Sequence, residues 1–94
     1  MIIAVDYDGT LYNDGQVNVA LIQSLRQDQQ RGHIVILWTC RAGDRLLEAV
    51  QKLQQYGFKP NLINQNAPRV IKMLGHDPRK IFADVYIDDK AVKV

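Results

Sequence analysis

Cysteine is nearly missing from this 94-residue chain: Cys40 stands alone. That excludes an internal disulfide and any cysteine cluster for zinc. Glycine and proline are sparse, six and three residues, while 47% of the chain is apolar. Together these exclude a disordered or low-complexity chain. No apolar run approaches the ~18 residues of a membrane-spanning helix. No basic segment followed by an apolar stretch opens the sequence as a secretory signal would. A cytoplasmic protein is the expectation. Runs of like charge are absent too, so no basic tail for nucleic acid is present. With no repeat, linker or composition break, residues 1–94 are expected to form one domain.

The residues that are present alternate between Val/Ile-rich runs and stretches of helical period, which predicts βαβ units and a parallel sheet. A first strand is predicted over residues 2–6. The Asp14-Gly15 pair in "TLYNDGQV" signals a tight hairpin, read as a flap over the end of that strand. Asn18 is the expected N-cap of a helix burying Leu21, Ile22 and Leu25 and closed by Gly32. "HIVILW", residues 33–38, predicts a second strand covered on both faces. Asp44 is expected to cap a helix with Leu46, Leu47, Val50 and Leu53 toward the core and Gly57 at its end. "PNLI" predicts a short edge strand, because Pro60 has no amide proton for the ladder. Asn66 and Pro68 open a short helix carrying Val70, Ile71 and Leu74, stopped by Gly75. "IFADVYID", residues 81–88, is the fourth strand. Trp38 and Tyr86 are expected to point to the core, and Cys40 to be a small packed side chain.

Charge is distributed unevenly. Twelve basic residues stand against ten acidic ones, and four of the ten fall in two motifs, Asp6 and Asp8 in "DYDGT" and the pair Asp88 and Asp89. The remaining body is distinctly basic, which suits an anionic substrate held beside an acidic pocket. Right-handed crossovers bring the carboxyl ends of parallel strands to one sheet edge, where ligands of open α/β sheets bind. Asp6, Thr39 and Asp88 all sit at such ends. Two carboxylates 4 Å apart at an effective dielectric near 20 repel by about 4 kcal/mol. Several must therefore protonate, splay apart or share a cation. Oxygen donors without sulfur favour a hard ion, Mg²⁺ first.

Metal binding alone does not require the rest of "DYDGT". One carboxylate can attack while its neighbour handles a proton. Gly9 permits a bend that turns backbone amides toward a phosphoryl oxygen. Thr39 can donate its hydroxyl to another, and a Lys or Arg would complete the charge clamp.

"DYDGT" followed by Leu11, the threonine ending the second strand and the "DD" ending the fourth together resemble the haloacid dehalogenase (HAD) superfamily of phosphohydrolases, across almost the whole chain. The resemblance implies a three-layer Rossmann-like core, here with a four-stranded parallel sheet in order 4-1-2-3, and a Mg²⁺-dependent phosphate-monoester phosphatase. It implies that Asp6 is the nucleophile forming an aspartyl-phosphate. Asp8 would be the acid and then the base, and Thr39 the second motif. Asp6, Asp8 (through its carbonyl), Asp88 and Asp89 would hold the metal. Gly9, Thr10, Thr39, Cys40 and Arg41 would line the phosphate and substrate site. The third motif, a lysine, is missing from "NQNAPRV"; Lys80 is the first choice, with Lys72 and Arg69 open.

Neither gap between motifs holds a cap domain. "WTCR", "NQN" and "ADVYIDDK" look like small capless members of that superfamily. An open pocket of this kind suits a small-molecule phosphate ester, a phosphorylated nucleic-acid end, or a second copy of the chain acting as lid. Two other readings use the same residues: a phospho-accepting signalling domain, and a catalytically silent binding module. His33, His76 and Asp84 are read as structural or solvated.

Overall fold

The computed structural model describes residues 1–88 and the backbone of residues 92–93. Its elements run β1 (Ile2–Val5), β2 (Tyr12–Asn13), β3 (Gln16–Val17), α1 (Val19–Gln30), β4 (Ile34–Leu37), α2 (Gly43–Gln55), β5 (Leu62–Ile63), α3 (Pro68–Leu74), β6 (Val85–Ile87) and β7 (Val92–Lys93). The main sheet has the order β5-β4-β1-β6-β7, and β2 and β3 form a separate hairpin. All four residues of β1 are buried, because this strand is paired on both edges and covered on both faces. It runs parallel to β4, in register Ile2↔Ile34 to Val5↔Leu37, and to β6, in register Ile3↔Val85 to Val5↔Ile87.

Alternation along β1 divides the core in two. Ile3 and Val5 pack with Ile22 and Leu25 of α1 and Ala49 and Leu53 of α2. Ile2 and Ala4 pack on the other face with Ile36, Ala67, Val70 of α3 and Ile81. The result is a three-layer α/β fold with helices on both faces of the sheet. No helix among the described residues is long and apolar enough to cross a membrane.

Several local expectations are corrected. The sheet has a fifth strand, β7, antiparallel to β6. The strand before it covers only Val85–Ile87 rather than residues 81–88. The reason is that side chains take the preceding amides: Phe82 N–H donates to Asn66 Oδ1 at 2.6 Å and Ala83 N–H to Tyr86 Oη at 3.1 Å. Backbone pairing resumes only where Asp84 N–H reaches the Ile2 carbonyl, 2.7 Å. Asp84 also accepts the Ile2 amide on Oδ2 at 2.7 Å, which makes it a clip between β1 and the start of β6.

Asn18 caps α1 as expected, accepting from Leu21 N–H. Asp44 lies inside the first turn of α2, whose N-cap is Ala42 with no side-chain bond. Leu47 is 55% exposed, and Ala49 takes its place in the buried stripe. The N-cap of α3 is Ala67, followed by Pro68. Asn66 is released from capping and is wholly buried. Its amide donates to Asp77 Oδ1 (2.9 Å), the Pro78 carbonyl (3.2 Å) and the Lys80 carbonyl (3.0 Å), while its Oδ1 receives Phe82 N–H.

One residue thus organises the approach to β6. Replacing it by alanine strands several buried polar groups, each costing about 1–3 kcal/mol. Asn66→Ala is expected to lower stability by about 2–4 kcal/mol, read as a fall in the urea midpoint at unchanged m-value. An unmoved midpoint would show that water replaces the side chain.

Candidate active site

The carboxyl edge of the sheet assembles in one row. Val5 is in register with both Leu37 and Ile87, so the next residues out are Asp6, Trp38 and Asp88. Two bonds continue the ladder past the strand ends: Asp6 N–H to the Ile87 carbonyl at 3.0 Å and Trp38 N–H to the Val5 carbonyl at 2.8 Å. Neighbouring strands lie about 4.8 Å apart, so Asp6 and Asp88 start from adjacent backbone positions. Asp6 Oδ1 also accepts the Tyr7 amide at 2.8 Å, which fixes the carboxylate against its own turn. Asp89 lies outside the described residues.

The chain turns sharply after Asp6 instead of continuing as a strand. The Tyr7 carbonyl accepts both Thr10 N–H (3.2 Å) and Tyr12 N–H (2.9 Å), and Gly9 N–H donates to the Tyr12 carbonyl at 2.8 Å. The amides of Gly9 and Thr10 close the turn into the hairpin. Gly9 is needed there because its φ is +81°, a region that other residues enter at a steric cost. Thr10 is buried, and its Oγ1 has no hydrogen-bond partner among the described residues. Asp14 and Gly15, at φ +50° and +76°, supply the two positive-φ residues of a hairpin turn whose twist matches its strands.

The same turn sends Asp8 out to Arg41. Arg41 Nε donates to Asp8 Oδ2 at 2.9 Å and its Nη2 to Oδ1 at 2.8 Å, a two-pronged pair. The guanidinium also lies 4.7 Å from the Tyr7 ring centroid and 5.8 Å from that of Tyr12, two rings that stack on one another. A planar cation with five donors suits both contacts at once. The hydrogen bonds from Arg41 hold the Asp8 carboxyl below its ordinary value. Burial pushes the Tyr7 hydroxyl the other way, against an opposing pull from Arg41.

Thr39 is buried at the end of β4. Its Oγ1 accepts Arg41 N–H at 3.1 Å, leaving its proton to donate, and its amide donates to Asn64 Oδ1 at 2.8 Å. Asn64, whose own N–H donates to the Leu37 carbonyl at 2.9 Å, sits at φ +51°, a conformation asparagine tolerates. Cys40 is exposed rather than packed, because the chain has already left the sheet. Trp38 is 44% exposed rather than core.

Lys80, Lys72 and Arg69 are all exposed. They differ in their backbones. Lys80 is anchored through its carbonyl to Asn66, three residues past the end of β5, so the loop climbs to the carboxyl edge before descending to Asp84 beside Ile2. The sequence gives Asn64 no role and makes Asn66 a helix opener. Both replace missing backbone partners, a function that leaves no periodic signal.

Residues 3–93 match the family model of haloacid dehalogenase-like hydrolases. The chain belongs to that family. A solved structure of a conserved protein from Bacteroides thetaiotaomicron is similar to it, at 33% identity and a TM-score of 0.81 over 97% of this chain and 77% of that one. No curated protein matches it.

Among the described residues no group of three or more His, Cys, Asp or Glu side chains gathers as a metal cage. The donors at the row, Asp6 and Asp88, are two carboxylates that follow paired strands. That set fits Mg²⁺, which takes one or two carboxylates and retains several waters. Asp8 would join through its main-chain carbonyl, because its carboxylate is committed to Arg41.

The Asp8 pair gives a pH signature. A carboxyl lowered on folding stabilises the fold above its unfolded value, and the gain is lost as pH falls through the folded one. Asp8 is about half exposed, so solvent screens the effect. A carbon-detected NMR titration is expected to find Asp8 below its ordinary value in the native protein and back toward it in Arg41→Gln. Identical titrations would show that the pair does not persist in solution.

Proposed function

We propose that this HAD-family hydrolase is a Mg²⁺-dependent phosphatase that cleaves phosphate monoesters through an aspartyl-phosphate on Asp6. The observation that carries the reading is the single row in which Asp6 and Asp88 occupy neighbouring register positions, with Thr39 two residues past the end of β4. A receiver-type signalling domain gathers its acids differently, with a pair on the first strand and the acceptor on the third.

In the proposed reaction an Asp6 carboxylate oxygen bonds to phosphorus as the bond to the ester oxygen breaks. Asp8 protonates that departing oxygen. A water then attacks the phosphorus through its oxygen, giving one of its protons to the Asp8 carboxylate as the bond between phosphorus and Asp6 breaks. Asp8 holds no proton while both its oxygens accept from Arg41, so to act as the acid it leaves that pair and takes a proton from solvent water, and the guanidinium becomes available to the substrate's anionic oxygens. Thr39 donates its hydroxyl to the phosphoryl group. Asp6, Asp88 and the Asp8 carbonyl would hold Mg²⁺, with Asp89 as a further donor, and the ion would offset charge on the phosphoryl oxygens. Lys80 is the third-motif cation in this reading, supported by the Asn66 bond that carries its backbone to the carboxyl edge. The pocket, without an inserted cap, takes a phosphate ester or a phosphorylated nucleic-acid end, in the cytoplasm, with a second copy as a candidate lid.

Turnover of an aryl phosphate tests this. Sustained release dependent on Mg²⁺ and abolished by chelation is expected, with Asp6→Asn reducing kcat by at least ~10³-fold. One stoichiometric phosphorylation would instead indicate a signalling domain, and no reaction a binding module. Full activity in Asp6→Asn would falsify the nucleophile assignment.

The cation is tested separately. Lys80→Ala is expected to lower kcat by about 10²-fold, whereas Lys72→Ala and Arg69→Ala leave it near the native value. The opposite ranking would move the third motif into α3.

A further inference from the structure

We infer that Trp38 is an aromatic platform beside the reaction centre and that the substrate is a nucleoside phosphate, whose base stacks on the indole. The stacking follows from the structure; the bond broken rests on the hydrolase reading above.

Trp38, the chain's one tryptophan, occupies the register position next to Asp6 on the neighbouring strand, with its N–H on the Val5 carbonyl. Both residues continue the alternation that puts Ala4 and Ile36 on the α3 face of the sheet. On that face the indole meets the Tyr86 ring edge-on, at 6.1 Å and 65°. Tyr86 pairs with Ala4 in register, and the small alanine between β4 and β6 lets the two rings reach across β1.

Tyr86 is itself fixed. Its hydroxyl donates to the Ile81 carbonyl at 2.7 Å and accepts Ala83 N–H at 3.1 Å. The indole therefore rests on an anchored ring and still keeps 44% of its surface in solvent. An aromatic side chain held in place yet exposed, on a backbone position about one strand spacing of 4.8 Å from that of the candidate nucleophile, is a preformed flat surface at the mouth of the site.

A phosphate ester with a purine or pyrimidine at the far side of its ribose offers a flat partner for that surface. A plain sugar phosphate does not. Base–aromatic stacking tolerates any base, since each presents a π-face. It acts on binding, so its signature is in KM rather than kcat.

The single tryptophan makes the test direct. Fluorescence of the Asp6→Asn protein with Mg²⁺ is titrated with adenosine 5′-monophosphate, ribose 5-phosphate and a 5′-phosphorylated oligonucleotide. A saturable emission change with the nucleoside monophosphate, and none with ribose 5-phosphate, is expected. The tighter-binding of mononucleotide and oligonucleotide identifies the source of the nucleoside.

In turnover, the native chain is expected to favour adenosine 5′-monophosphate over ribose 5-phosphate by roughly 10- to 100-fold, mostly in KM. Trp38→Ala removes the preference and Trp38→Phe retains most of it. Saturable quenching without hydrolysis of either compound would sink the hydrolase reading and leave the platform standing. Equal hydrolysis of both, with no emission change, would sink the platform and leave the hydrolase. An emission shift that follows protein concentration alone would give the indole to a second copy of the chain and overturn the proposal.

Discussion

The parallel pairing of β1 with β6 is the constraint on which the rest depends. It links residues more than eighty positions apart, and its register alone makes Asp6 and Asp88 neighbours. Two bare carboxylates about 4 Å apart would repel by about 4 kcal/mol at an effective dielectric near 20, a large share of the 5–15 kcal/mol that holds a small domain together. The strand that positions Asp6 is central, buried along its whole length and bonded on both edges, so the placement of the acid is fixed by the sheet.

Short strands make the second theme. Among the described residues no strand of the main sheet exceeds four residues, and backbone amides at or just beyond the strand ends are taken by asparagine and aspartate side chains. Asn61 Oδ1 accepts Val35 N–H and a Gln29 amide proton, Asn64 accepts Thr39 N–H, Asn66 accepts Phe82 N–H, and Asp84 accepts Ile2 N–H. Each is a short side chain with an oxygen at the reach of a missing carbonyl. The effect is to stiffen loops that carry site residues without lengthening the sheet. Thr39 and Lys80 are held this way, so the candidate site inherits rigidity from the asparagines rather than from added secondary structure.

That device also marks what was legible in the sequence. The βαβ alternation, the central first strand, the Asp14-Gly15 hairpin and the helix stripes were readable because each has a period or a turn chemistry. "DYDGT" was readable because its residue types are rare in combination. Leu47 faces solvent because the buried stripe uses the small Ala49, two positions on, which a pattern of large apolar residues overlooks. The last strand was drawn too long because an apolar run says nothing about which amides are already bonded to side chains. Cys40 and Trp38 were placed in the core on residue type, although the sheet ends at Leu37. The two-residue β7 is too short to leave a pattern.

The pairing of Asp8 with Arg41 could not be read from spacing either, and it alters how the site is understood. Arg41 was expected to meet a substrate anion, and its side chain is instead engaged by an anion of the chain itself, braced on two stacked tyrosines. The geometry that satisfies Arg41 is also the one that a phosphoryl group would offer: two oxygens in a plane facing Nε and Nη2. Breaking a half-exposed pair of this kind costs little, so exchange of the Asp8 carboxylate for another oxyanion on Arg41 is energetically accessible. The arrangement gives both groups a partner at rest, and the proposed reaction would draw on that exchange.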